Sequence, residues 1–127
     1  MERLVHNPTE GVYPAVADYA HAIELRGAER LVYVSGTMGL HPDGAAGTSL
    51  EEQLTLVWDN IATILASANM TLDNVVRVTS YLTDREFAGP NAEARNRALG
   101  RLVPVTGVVV ATLSDDWLVE LEVIAAA

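Results

Sequence analysis

Apolar positions along the chain recur with two periods. From Ser49 onward, Leu50, Leu54, Val57, Ile61, Ile64 and Leu65 follow at spacings of three or four, the spacing of one helix face. Ser49-Leu50-Glu51-Glu52 has the form of a capping box: the Ser49 hydroxyl accepts from the Glu52 amide while the Glu52 side chain reaches back. A helix therefore starts there, and Asn69 to Asp73 ends it. Elsewhere the period is two. Arg30 to Ser35, Val75 to Thr83, Val105 to Leu113 and Trp117 to Ala125 read as strands; Arg3 to His6 is a short first strand, and Ala20 to Leu25 alternates weakly. Pro8, Gly11 and Pro14 make the intervening arm irregular. Gly27-Ala28-Glu29 reads as a hairpin turn, Ser114-Asp115-Asp116 as another turn, and Gly36 to Gly47 as a loop long enough to be functional. A second helix starts near Pro90, a residue suited to a first helical turn, and ends at Gly100.

Strands, helix, strand, helix and two strands make an α+β domain, with two helices on one face of a mixed sheet. The 127 residues suit one domain spanning 1–127. The other sheet face remains partly apolar with nothing left in the chain to cover it, which predicts self-association.

Composition narrows the chemistry. There is no Cys, which removes disulfides, thiol catalysis and cysteine-ligated metals. All 8 basic residues are Arg, so no lysine can form a Schiff base or hold a pyridoxal group. A net charge of −9 argues against nucleic acid, whose phosphates need clustered cations. No apolar run is long enough for a membrane span and no signal peptide is read at the N-terminus. With no cysteine, the expected location is cytoplasmic.

The last strand is the most informative segment. With a period of two, Trp117, Val119, Leu121 and Val123 share one face, and Leu118, Glu120, Glu122 and Ile124 the other. Carboxylates among apolar neighbours are costly unless paired, hydrogen-bonded or working. The residues alone leave two readings open, a solvated or intersubunit face with an arginine partner, or a catalytic carboxylate. His6, His21 and His41 are scattered, with no metal-ligand spacing, so no metal is expected. His21 and His41 fit a proton shuttle or a hydrogen-bonded structural histidine. Ser35 follows a strand, but Val34-Ser35-Gly36 has no nucleophile-elbow frame. Arg95, Arg97 and Arg101 cluster on the second helix, either as a solvated face or as a contact for an anion.

Several stretches together resemble the Rid (YjgF/UK114) family: Asp18-Tyr19-Ala20-His21-Ala22-Ile23; Leu31-Val32-Tyr33-Val34-Ser35-Gly36-Thr37; Glu52-Gln53; Leu72-Asp73-Asn74-Val75-Val76 through Leu82-Thr83-Asp84; Asn91; and Val119-Glu120-Leu121-Glu122-Val123-Ile124-Ala125. The resemblance implies a chorismate-mutase-like fold of about six strands with two helices on one face. It also implies a homotrimer with sheets facing inward, and a small-molecule cleft at each subunit interface. No cofactor is implied. The best-known members hydrolyse 2-imino or 2-amino-enoic acids to 2-keto acids and ammonia.

Residue by residue, the resemblance implies that Tyr19 lines the cleft, that Gly36 with its neighbour Ser35 offers backbone to the ligand, and that Asn91 opens the second helix near the site. Glu120 corresponds to the glutamate that orients the attacking water. The family's arginine for the substrate carboxylate follows proline and one further residue. Here the stretch reads Pro104-Val105-Thr106-Gly107, so Thr106 stands in that place. Losing such a charge-assisted fork costs on the order of 2–4 kcal/mol of binding. Threonine offers one hydroxyl and no charge, so ordinary 2-imino acid deamination is expected to be weak or absent. The implied function is an imine, enamine or related carbonyl hydrolase in an intersubunit cleft; the alternative is a binding or protective module of the same fold.

Overall fold

The two periods become two layers. In the computed structural model, which describes residues 1–16 and 18–127, the strands are β1 (Glu2–His6), β2 (Ala22–Arg26), β3 (Leu31–Met38), β4 (Val75–Leu82), β5 (Val105–Val109) and β6 (Val119–Ala126). The helices are α1 (Leu50–Ala66) and α2 (Ala88–Leu99). The architecture is α+β. β3, β6, β4 and β5, in that order, form a mixed sheet that is antiparallel except for the β4–β5 pair. β1 and β2 form a separate antiparallel ribbon.

The apolar stripe of α1 meets the inward face of the sheet. Leu54, Val57, Ile61 and Leu65 are buried against Val75, Val78, Val119, Leu121, Val123 and Ala125. Removing this much apolar surface from water is the main stabilising term. α2 joins the same layer: Asn91 donates from Nδ2 to Ser80 Oγ, on the inward side of β4 (3.0 Å), and Gly100 closes the helix in the left-handed conformation (φ 64°).

Five expectations are corrected. Ile64 is 41% exposed rather than part of the core stripe. Only half the capping box forms: the Glu52 amide donates to Ser49 Oγ (3.1 Å), but the Glu52 carboxylate is taken by Thr48 and by His41 Nε2 (2.6 Å). Gly27–Glu29 is not a hairpin turn, because β2 pairs with β1 while the Glu29 and Arg30 amides both donate to the Ala127 carbonyl (2.8 Å each). Ser35 and Gly36 belong to β3, at a register shift between Val34 and Thr37, so the loop starts only at Gly39. β5 stops at Val109, where its partner β4 also ends, and β6 starts at Val119 because Leu118 N–H donates to Gln53 Oε1 (2.9 Å).

Gln53 is 2% exposed and serves three backbone groups: Nε2 donates to the carbonyls of Gly47 (2.9 Å) and Asp116 (2.8 Å), and Oε1 accepts from Leu118. One buried amide thus ties both loops to α1, because each buried polar group needs a partner. Asn60 adds donors to the Met38 and Leu40 carbonyls (3.1 and 2.9 Å).

Candidate functional site

Alternation along β6 sends Glu120 and Glu122 to the sheet face that no helix covers. Cross-strand register aligns Glu120 with Tyr81 and with Met38, Glu122 with Thr79, and Ile124 with Arg77 and Tyr33. Directly paired residues share a face. The outer face therefore carries Tyr33 from β3, Arg77, Thr79 and Tyr81 from β4, and Thr106 from β5, together with Glu120, Glu122 and Ile124.

Glu120 is half-buried and leans over β3. A methyl group built on Gly36 would stand 2.6 Å from Glu120 Oε2 and 2.9 Å from its Cδ. Glycine leaves that space to the Glu120 side chain, and a larger residue at the β3 register shift would make the carboxylate move. Ser35, next to it, is exposed, and its carbonyl accepts from Thr37 Oγ1 (2.9 Å). The face thus brings together Glu120, Gly36 and Ser35.

Gly36 and Ser35 also border a concavity of about 590 Å³ along the free edge of β3. Its walls include Met38, His41, Asn60, Thr63 and the exposed Ile64; Glu120 lies outside it. Its His41 is an ion-pair and hydrogen-bond partner of Glu52, whose carboxyl it holds below the usual carboxylate range. That contact fixes the loop, which makes His41 a structural histidine here.

The remaining candidates lie elsewhere within the chain. Asn91 is buried beneath the sheet, on the helix side, with its Oδ1 lacking a partner. Tyr19 sits on the arm, its ring edge-on to His21 at 5.8 Å. The arm is held to the domain by the Ala20 amide, which donates to the Val103 carbonyl (3.2 Å), and by Arg95, which donates to the Asp18 carbonyl (3.0 Å).

Thr106 is on the outer face, where its hydroxyl accepts from Arg77 Nη2 at 2.7 Å. Glu122 lies on this face as alternation with Glu120 predicts, and Arg77, which was not a candidate from the sequence, joins it. Glu122 Oε1 accepts from the Tyr81 hydroxyl (2.9 Å), which pushes the Tyr81 phenol up. The arginine cluster is not one solvated face. Arg95 is buried, paired with Asp18 (3.4 Å), and burial lowers its pKa against the opposing pull of that carboxylate. Arg101 donates to the carbonyls of Leu72, Asp73, Val75 and Leu99. Arg97 borders a small depression between the two helices, with Trp58 and Asp59. No group of three or more acidic, histidine or cysteine side chains suited to a metal occurs among the described residues, and no helix there is long and apolar enough to cross a membrane.

A family model described as Endoribonuclease L-PSP matches residues 10–127. The chain is 35% identical over 114 residues to the Saccharomyces cerevisiae protein Mmf1, described as mitochondrial, covering 88% of this chain and 77% of that one. Among solved structures, RidA from an Antarctic Psychrobacter superimposes with a TM-score of 0.72 at 27% identity, over 95% of this chain and 98% of that one. A Rid-family protein of Yersinia pestis, YyfB, superimposes with a TM-score of 0.80 over 100% of both chains at 24% identity, a likeness of fold.

Proposed function

Because this chain belongs to the Endoribonuclease L-PSP family, also called the Rid or YjgF family, we propose that it hydrolyses an imine or enamine in a cleft between subunits. The observation that carries this reading is the Glu120 carboxylate, half-buried and laid over a Gly36 whose missing side chain leaves room for it. Glu120 positions a water and takes its proton as the oxygen bonds to the imine carbon. The proton is returned to nitrogen. The C–N bond of the carbinolamine then breaks as Glu120 takes the hydroxyl proton and passes it to the nitrogen, so that ammonia leaves, a carbonyl remains and Glu120 is ionised again. An enamine first gains a proton on carbon to become the imine. General-base work of this kind contributes about 10²–10⁴-fold in rate. Tyr19 and the backbone at Ser35 and Gly36 are assigned to ligand contact; Asn91, 4% exposed and bonded to Ser80 beneath the sheet, is given a structural part instead. Tyr19 lies away from Glu120 within one chain, so its role requires a second copy.

RNA is not the proposed substrate, whatever the family description says. The chain carries −9, and two of its arginines, Arg95 and Arg101, are spent on its own backbone. The non-catalytic binding module remains the second reading, favoured by Thr106 standing where an arginine is expected. The cytoplasm is the proposed compartment.

Two measurements follow. Sedimentation at micromolar concentration is expected to give three times 13.6 kDa: the outer sheet face exposes Leu31 (52%), Tyr33 (72%) and Val108 (40%) to water in the single chain, which favours self-association, and the family resemblance sets the number at three. A monomer would remove the proposed cleft. In a coupled assay, 2-aminoacrylate is expected to give pyruvate at well under the roughly 1 s⁻¹ of an ordinary enzyme, while some member of a panel of other imines and enamines releases ammonia. Silence across the panel would favour the binding module.

A further inference from the structure

Tyr19 stands on the irregular arm, yet the residues around it are each tied down. The arm before it buries little: Tyr13 and Val16 are exposed. Asp18 then gives both its carboxylate (3.4 Å) and its carbonyl (3.0 Å) to Arg95 Nη2. Ala20, 1% exposed, donates its amide to the Val103 carbonyl. The His21 amide donates to Asn7 Oδ1 (2.7 Å). The His21 ring is edge-on to both Tyr13 and Tyr19, and its Nε2 donates to the Tyr13 carbonyl (2.8 Å). Arg95 is the costly member of this set, a guanidinium only 6% exposed on α2. Its desolvation offsets most of the attraction of a carboxylate that is itself 40% exposed. The pair therefore adds little stability over an apolar side chain of the same length. What it adds is direction. One nitrogen takes both acceptors of a single residue, which fixes the Asp18 backbone and so the origin of Tyr19.

We infer that Arg95 is a positioning residue: acting through Asp18, it holds Tyr19 where the tyrosine hydroxyl meets the ligand. The inference deepens the hydrolase reading, on which it rests for the part of Tyr19 in the site. Because Tyr19 serves the cleft only with a second copy, Arg95 of one chain sets the geometry of a site that another chain completes. A charge spent on geometry in place of stability is what a preorganised contact on a poorly buried segment requires.

The test separates place from stability. With ¹³C-labelled tyrosine rings, the 4 tyrosines report separately by NMR, and Tyr19→Phe identifies the Tyr19 signal. Arg95→Met is expected to melt close to wild type and to keep its assembly on sedimentation, because Asp18 left alone is solvated. Its Tyr19 signal is expected to move toward that of free tyrosine, while those of Tyr33 and Tyr81 on the sheet stay. Arg95→Lys keeps the charge but not the planar fork and should recover part of the shift. Arg97→Gln, an exposed neighbour on α2, should show none. On a turned-over imine or enamine, Arg95→Met and Tyr19→Phe should each raise KM by about two- to tenfold, the worth of one hydrogen bond, with kcat unchanged. The double variant should lose no more than Tyr19→Phe alone. A Tyr19 signal unmoved in Arg95→Met, or movement of all the tyrosine signals together, overturns the inference. So does loss of folding or assembly in Arg95→Met, which makes the arginine a stability residue, and so do additive effects on KM. Displacement of Tyr19 in a protein that hydrolyses nothing keeps Arg95 as the residue that sets Tyr19 and removes the hydrolase; hydrolysis with Tyr19 indifferent to Arg95 does the reverse.

Discussion

Gly39→Ala is expected to lower stability by about 3 kcal/mol, the upper end of what overpacking costs, and to lower the melting temperature by about 10 °C. Gly39 is the residue at which the chain leaves β3 and passes across the first turn of α1. A methyl group there would stand 2.4 Å from the Gln53 carbonyl oxygen and 2.5 Å from the Gln53 Cα. These are backbone atoms of a helix, so no rotamer change relieves the contact. The helix or the loop must move, and moving it strains the Gln53 amide that holds Gly47, Asp116 and Leu118. Gly89→Ala is the control. It lies inside α2 with nothing within 4 Å of the added methyl group, and replacing a helical glycine by alanine should stabilise by about 0.5–1 kcal/mol. Thermal unfolding of both variants checks the pair. Equal melting temperatures would mean the loop does not pack on α1 as described.

The parts of this fold that local pattern decides were legible in the sequence. Val119, Leu121, Val123 and Ala125 are all fully buried, as period two along the last strand requires. Ser49 caps α1, and Gly100 ends α2. What failed depended on partners distant in sequence. Ile64 fits the helical stripe, but its side chain is left on the wall of the concavity along β3 rather than in the core. Glu52 obeys the capping rule only until His41 and Thr48 compete for its carboxylate. Gln53 reads as a polar interruption in an apolar face, and its three partners lie in two loops whose approach no periodicity encodes. The site divides the same way. The outward face of Glu120 and Glu122 follows from alternation, and alternation along β4 would also have placed Arg77 on that face. The Arg77–Thr106 contact needs the parallel β4–β5 register, which two separate segments cannot announce.

Glu120→Gln is expected to abolish whatever hydrolysis the protein performs, a fall of about 10²–10⁴-fold in kcat, with stability and assembly kept. Glutamine matches the shape of the carboxylate but cannot take a proton from water. Gly36 leaves the same room for a glutamine side chain as for the carboxylate, so the loss is chemical rather than structural. Glu122 provides the contrast. Its carboxylate accepts the Tyr81 hydroxyl across the β4–β6 pair, and Glu122→Gln should alter assembly or stability while sparing turnover. The decisive measurement is ammonia release by wild type, Glu120→Gln and Glu122→Gln on one turned-over imine or enamine, with sedimentation of each run alongside. The account predicts a trimeric but inactive Glu120→Gln and, at concentrations where the trimer forms, an active Glu122→Gln with lowered assembly or stability. An active Glu120→Gln, or activity lost only with Glu122, would contradict it.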